Sequence, residues 1–142
     1  KMVQYGALDP VACADIQNTF ASKGLLVKFD GSGVMITASV TDKPIGVTIS
    51  ESSRGEDGEL EAAGTGTVSI MPLSGVQMIK CVGGGVLKTG ERLYVSQTAE
   101  ADGHVHTTSS NSATFVGVYM GEDGLTPSAG DLIPVLISAV VE

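Results

Sequence analysis

Two histidines of the sequence, His104 and His106, stand on either side of Val105. Alternate side chains of a strand point to the same face, so both imidazoles would lie together. Two imidazoles at this spacing can hold zinc or copper, but such a site ordinarily needs a third and a fourth ligand. The chain has no other histidine, so those ligands would come from carboxylates, cysteine or another copy of the chain. A polar strand edge facing solvent is the simpler interpretation, and we predict no metal site.

Two further stretches have residue types that suggest chemistry. Residues 51–61 contain five acidic side chains around Arg54. Calcium needs oxygen ligands at fixed alternating positions ending in a bidentate Glu, whereas Gly-Glu-Asp-Gly at 55–58 is a turn pattern, which predicts a solvated loop. The three glycines 83–85 lead into a second turn and not into a helix, so we interpret them as a joint and not as a phosphate-binding loop.

No catalytic group stands out from these patterns. No serine lies in a nucleophile-elbow context, and neither histidine has a triad partner that the sequence identifies. The cysteines Cys13 and Cys81 are too few for a disulfide framework and match no zinc spacing, so we expect two buried or idle thiols. The sequence therefore predicts a protein that is not an enzyme and binds no cofactor.

The composition excludes other classes of protein. Hydrophobic residues make up 42% of the 142 residues and charged residues 17%, which is typical of a globular chain. The formal net charge of −8 argues against binding to nucleic acid or to an anionic membrane, both of which need basic surface. The longest apolar run, within 132–141, is half of the roughly 20 residues that a membrane span needs. We therefore expect a soluble protein.

An internal duplication organises the chain. Four blocks recur in the same order, and the tetrapeptide Gly-Glu-Asp-Gly recurs unchanged. The paired blocks are 23–29 with 89–95, 33–37 with 103–107, 44–48 with 115–119, and 55–58 with 121–124. Because separate matches in one order point to a repeat, we predict two β units, about 20–80 and 86–142. Residues 1–19 have no partner in the repeat and form an N-terminal extension or arm.

Each unit has the pattern of short strands separated by glycine turns. The segments are rich in Val, Ile and Thr, which predicts an all-β fold, a small antiparallel β-barrel or sandwich built from two repeated short-stranded units. The predicted strands are 25–29, 34–40, 45–49, 66–71, 92–96, 104–108, 114–120 and 132–141. Residues 9–23 have two interpretations: a helix capped by Asp9 with Pro10 in its first turn, or a segment that leads into the turn at Lys23 and Gly24.

The last predicted strand is apolar at both odd and even positions. A half-exposed strand would alternate, so this one should be covered on both faces. Pro134 cannot donate to a ladder, which indicates an edge, a bulge or a strand start. An edge strand covered on both faces suggests a subunit interface, formed by Leu132, Ile133, Val135, Leu136 and Ile137.

The repeated turns and strands resemble the capsid cement, or head decoration, proteins of tailed bacteriophages. The resemblance covers about residues 20 to 138. In the first copy the matching residues are Gly24, Leu26, Val27, Asp30, Gly31, Gly33, Val34, Pro44, Ile45, Gly46 and Val47. In the second copy they are Gly90, Leu93, Tyr94, Asp102, Gly103, Val116, Gly117, Val118, Asp131 and Leu132.

This resemblance implies a small β-rich protein of the virion, commonly a homotrimer, on the outer capsid surface at three-fold or local three-fold positions. There it would clamp neighbouring subunits of the major capsid protein. The long acidic loop 51–61, the strand at 104–106 and the extension 1–19 depart from the family pattern. Within the extension, Met2, Val3, Tyr5 and Leu8 would contact the capsid, for instance by adding a strand to a capsid sheet. The other interpretation is that the arm packs on its own domain.

Two other functions remain as alternatives. An extracellular β module for binding or adhesion generally displays exposed aromatic platforms, and six aromatic residues with no Trp are few for that purpose. A small metal enzyme would use His104 and His106 and would need further ligands.

Overall fold

The computed structural model describes residues 10–13, 16–62, 64–98 and 101–137, and these form an all-β fold. Two five-stranded antiparallel sheets pack together as a sandwich, and neither closes into a barrel. The strands are β1 Val11–Cys13, β2 Leu26–Phe29, β3 Val34–Ile36, β4 Gly46–Thr48, β5 Val68–Pro72, β6 Val76–Lys80, β7 Arg92–Val95, β8 Val105–His106, β9 Phe115–Tyr119 and β10 Leu132–Ile137. No helix in the described ranges is long and apolar enough to cross a membrane.

The two sheets have the same topology. The strand order is β1-β5-β4-β2-β3 in the first sheet and β6-β10-β9-β7-β8 in the second. In each sheet, the segment directly after the edge strand β1 or β6 forms a parallel bridge to the strand at the opposite edge. Ile16 bridges to Val34 of β3, and Cys81 bridges to Val105 of β8. The structure is therefore built from one β unit used twice.

The repetition extends to single backbone hydrogen bonds. The N–H of Gly24 donates to the carbonyl of Thr48 at 2.7 Å, and the N–H of Gly90 donates to the carbonyl of Tyr119 at 2.7 Å. Both glycines have a positive φ, 85° and 89°, which few other residues adopt without strain. The glycine at the second position of the paired blocks 23–29 and 89–95 thus sets the same turn in both units.

A second pair of glycines permits close approach of two strands. A Cβ added to Gly46 would lie 2.8 Å from the carbonyl oxygen of Met71, and a Cβ added to Gly117 would overlap the carbonyl oxygen of Leu136. Met71 pairs across from Val47 and Leu136 pairs across from Val118, so the two contacts are equivalent. This close approach explains why a glycine stands inside a strand of each unit.

Two clusters of buried side chains form the core. The first joins residues of the second sheet, among them Tyr119 and Val135, with Leu26 and Val47 of the first sheet. The second lies on the first sheet and includes Ile16 and Phe20, both fully buried. The segment before β2 therefore covers one face of the first sheet, and the first cluster ties the two sheets together.

The helix considered for residues 9–23 is wrong for the described part of that segment. Residues 11–13 form β1, and the N–H of Gln17 donates to the carbonyl of Val34 at 2.7 Å. The N–H of Phe20 donates to the hydroxyl of Ser52 at 2.6 Å. These backbone groups bond to other elements because Ile16 and Phe20 must reach the core, which outweighs the local capping pattern.

The boundary between the sheets also differs from the position that the repeat suggested. The chain crosses from β5 to β6 at residues 73–75, so 76–80 belong to the second sheet. Glycines 83–85 lie after β6, inside the second unit. The aligned blocks missed this because β1 and β6 stand ahead of the first recognisable block in each unit.

The close approach at Gly117 can be tested by Gly117→Ala. The added methyl would meet the carbonyl of Leu136, and we expect the free energy of unfolding to fall by about 2–3 kcal/mol. Gly85→Ala is the matched control, because a Cβ there meets nothing within 4 Å. It should change that free energy by less than about 0.5 kcal/mol. Urea unfolding followed by circular dichroism measures both, and equal stability of the two variants would contradict the close approach.

Candidate interaction surface

Strand β10 is an inner strand whose apolar residues point in two directions. It pairs with β6 on one side and with β9 on the other. Ile133 and Val135 point into the core, with 1% and 0% of their surface exposed, whereas Leu136 is 37% exposed. The prediction of an edge strand covered on both faces is therefore wrong.

Pro134 is tolerated inside the sheet because of where its nitrogen points. Its carbonyl accepts the N–H of Met120 at 2.9 Å, on the β9 side. The N–H and C=O of a strand residue point to the same neighbour, so the missing donor also faces β9. Pairing between β9 and β10 ends just there, at Tyr119 and Val135, so no inner rung of the ladder is lost.

The five interface candidates of β10 therefore fall into two groups, those in the core and those on the outer side of the sheet. The side chains of Ile133 and Val135 belong to the core and cannot contact a partner, which corrects their assignment. Ile137 is partly buried against the same core. Leu132 and Leu136 remain, and they lie on the outer side of the sheet.

Neighbouring strands extend this outer side into a continuous apolar surface. Val76 and Val118 flank Leu136 in register, and Met78 pairs with Pro134, which is bonded to Met120. Val76, Met78 and Met120 are 56%, 49% and 44% exposed. The outer apolar face is defined here as Val76, Met78, Val118, Met120, Leu132, Pro134 and Leu136. Six of these form two adjacent rows of three, Val76, Leu136 and Val118 in one and Met78, Pro134 and Met120 in the other, across β6, β10 and the end of β9.

A cluster of aromatic residues borders the outer apolar face. The pairing of β7 with β9 shifts between Leu93 and Tyr94, and Val116 and Gly117 are both buried. The shift brings Phe115 opposite Tyr94, where the Arg92 guanidinium lies 4.0 Å from the Phe115 ring centroid. Arg92 Nε also donates to the Tyr94 hydroxyl at 3.0 Å. Arginine and aromatic side chains are enriched at protein interfaces, so the composition of this cluster fits a contact surface.

A groove of about 560 Å³ runs beside the outer apolar face, between the two sheets. Its walls include Val47 and Met71 of the first sheet and Val76, Met78 and Leu132 of the second. Among its lining residues Lys23 alone is charged. The groove is therefore a mainly apolar depression with one positive charge.

The most acidic stretch of the described residues lies apart from these two surfaces. In the loop 51–61, Arg54 forms an ion pair with Glu51 at 2.8 Å and donates to the carbonyl of Gly58 at 2.7 Å. Neither the outer apolar face nor the groove lining includes an Asp or a Glu. On a chain with net charge −8, repulsion between approaching copies is weakest at such a surface.

Within the part of the chain that the structure describes, no third ligand approaches the histidine pair. His104 Nδ1 lies 3.0 Å from the carbonyl oxygen of Asp102. His106 Nδ1 is buried without a partner in the described part of the chain, and His106 lines a cavity of about 40 Å³ with Cys81. Burial raises the pKa of the Cys81 thiol, with Asp131 adding to the shift. Among the described residues, no three His, Cys, Asp or Glu side chains gather as a metal site would require.

The remaining sequence candidates, Met2, Val3, Tyr5 and Leu8, lie outside the described residues. Conversely, the sequence did not single out Val76, Met78 or Met120. The available signal was the short stretch Val-Gln-Met-Ile-Lys at 76–80, which follows the turn dipeptide Ser-Gly at 74–75.

Comparison with known proteins gives a relationship of fold. No protein-family model matches the chain, and no curated protein matches it. A chain of the capsid of Myoviridae phage XM1 is similar in structure, with a TM-score of 0.61. The match covers 99% of this chain and 89% of that chain at 16% sequence identity. Over nearly its whole length, this chain therefore has the fold of a chain found in a phage capsid.

Proposed function

We propose that this chain is a structural protein of a phage virion that stabilises the major capsid shell. It would sit as a homotrimer on the outer capsid surface, at three-fold or local three-fold positions. The observation that carries the proposal is the match of the whole fold to a chain of a phage capsid. The repeated turns and strands that resemble cement proteins support the same role.

The proposed role needs no chemistry, only binding to the assembled state. A protein that binds the shell but not free subunits stabilises the shell by mass action. Three linked copies bind more tightly than one, because the second and third contacts form at high effective concentration. A small rigid β domain is suited to this task.

The outer apolar face supports the trimer. Its exposed Val, Met and Leu side chains are contiguous and acid-free on an otherwise acidic chain. Covering them with a second copy would remove apolar surface from water at a gain of about 25 cal/mol per Å². The subunit interface is thus assigned to Leu132 and Leu136 together with Val76, Met78, Val118 and Met120.

The shell role can be tested with purified phage shells that lack this protein. We expect the chain to co-sediment with the shells, to saturate in multiples of three copies, and to raise the temperature at which shells rupture. No co-sedimentation, or unchanged rupture temperature at saturation, would overturn the proposed function.

The trimer interface can be tested by Leu136→Lys. We expect the wild-type mass by light scattering to be about 43 kDa, three times 14.4 kDa, and the variant to run as a 14.4 kDa monomer. Lysine is chosen because it lowers the net negative charge, so general repulsion cannot explain a loss of association. Leu125→Lys is the matched control, since Leu125 is 38% exposed and lies outside the outer apolar face. A monomeric wild type, or loss of mass in both variants, would contradict this interface.

The proposed contact of the N-terminal arm with the capsid can be tested by deleting residues 1–8. Binding to shells should weaken at least tenfold, because the apolar side chains of Met2, Val3, Tyr5 and Leu8 are removed together. Circular dichroism and the mass in solution should not change. If shell binding is unaffected by the deletion, the arm has no part in it.

A further inference from the structure

The two units of the chain contact each other through different surfaces. The carbonyl of Gly24 accepts the N–H of Lys80 at 2.8 Å, and the N–H of Leu26 donates to the carbonyl of Gly103 at 2.8 Å. The first-unit residues lie at the start of β2, whereas the second-unit residues lie at the end of β6 and just before β8. Such a contact between unlike surfaces is heterologous, so each unit has a front face and a back face. The front face is defined as Gly24, Leu26 and Val47 in the first unit and as Gly90, Arg92 and Val118 in the second, and the back face of the second unit as Lys80, Gly103 and Leu132.

The front face of the second unit is open. Gly24 is buried, and a Cβ added to it would overlap the side chain of Leu132. Gly90 is exposed, and a Cβ added to it meets nothing within 4 Å. Leu26 is fully buried, whereas Arg92 is exposed. The face that is covered in the first unit therefore has room for a partner in the second.

The back face of the first unit is open at the equivalent point. The pairing of β5 with β4 repeats that of β10 with β9, with Met71 at the position of Leu136. Four residues earlier along the chain, Thr67 corresponds to Leu132. Leu132 covers the front face of the first unit within the chain, whereas Thr67 is exposed. This part of the back face is therefore accessible to a partner.

The two open faces complement each other in size and charge. Within the chain, Leu26 is contacted by the loop 96–104, which joins β7 to β8. The equivalent connection in the first unit, 30–33, has four residues instead of nine. A shorter connection leaves room for the longer side chain of Arg92, which stands where the first unit has Leu26. Asp30 of this connection is exposed, and its charge is opposite to that of Arg92.

A trimer with three-fold symmetry cannot bury one surface against itself, because its contacts join unlike surfaces. We propose that each copy binds the next through the same kind of contact that joins its own two units. Gly90 of one copy would lie against Thr67 of the next, and Arg92 would pair with Asp30. Three copies would then close a ring of six β units. The inference rests on the proposed homotrimer and names the surface that meets the outer apolar face, since Val118 belongs to both that face and the front face.

The front face can be tested by Gly90→Ala, with Gly58→Ala as the matched control. Both glycines have a positive φ, 89° and 82°, and a Cβ at either meets nothing within 4 Å in the single chain. The backbone strain is therefore similar in the two variants, and only Gly90→Ala places a methyl group in the proposed contact. By sedimentation over a dilution series, we expect Gly90→Ala to raise the concentration at which half of the trimer dissociates by at least about tenfold. Gly58→Ala should stay within about twofold of wild type. Equal dissociation of the two variants overturns the contact.

The back face can be tested at Thr67. If Gly90→Ala fails to fold by circular dichroism, Thr67→Lys replaces it with the same expected change, because Thr67 is exposed in the single chain. In addition, the chain carrying p-benzoylphenylalanine at position 67 is irradiated and separated on a denaturing gel, with the same label at Leu125 as the control. We expect covalent products of two and three copies from position 67, with the label joined to the tryptic peptide 89–92. Products joined at another site, or none above the control, overturn the proposal.

These outcomes separate the two proposals. If trimers form and crosslink as expected but do not co-sediment with shells, the proposed shell role fails and the ring contact is supported. If the chain binds shells as a trimer but the label reaches another site, the ring contact alone is overturned. A chain that is monomeric both in solution and on shells overturns the proposed homotrimer together with the ring contact.

Discussion

The pairing of β10 between β6 and β9 is the arrangement on which the rest of the surface depends. Since side chains alternate along a strand, this pairing sends Ile133 and Val135 into the core and Leu136 outward. The ladder also places β6 at the edge of the second sheet. A shift of β10 by one residue would exchange the core and outer side chains and abolish the outer apolar face. The register of β10 therefore determines both the core packing and the interaction surface.

The sequence predicted the fold class and the repeat, and the structure has one strand order in two sheets. Glycines carried much of that prediction, because Gly24 and Gly90 each need a positive φ and Gly46 and Gly117 each permit a close strand contact. Such positions tolerate few substitutions, so they stay recognisable after two units diverge. Strands β1 and β6 have no glycine of this kind and were missed.

The helix considered for 9–23 and the edge position of β10 were wrong for one physical reason. Asp9, Pro10 and Pro134 were interpreted from local preference, whereas tertiary contacts decide their segments. Phe20 is fully buried and its backbone bonds to Ser52, which a helix would not allow. Pro134 lies opposite Met120, one residue past the end of β9, so the bond that its nitrogen cannot make belongs to the end of that ladder. A sequence shows that a donor is missing, but only the register shows whether a partner was there.

The two units place different side chains at equivalent positions of the same backbone. In the first unit Leu26 and Val47 pair in register and are buried, and they join the core of the second sheet. In the second unit the equivalent pair is Arg92 and Val118, and Arg92 is exposed. The face that the first unit uses to contact its sister unit is thus left open in the second. On that open face the Arg92 guanidinium packs on the Phe115 ring, 4.0 Å from its centroid. The two pairs differ at one position only, where a buried leucine in the first unit corresponds to an exposed arginine in the second, so the charged side chain stands where an internal packing surface has become an external one.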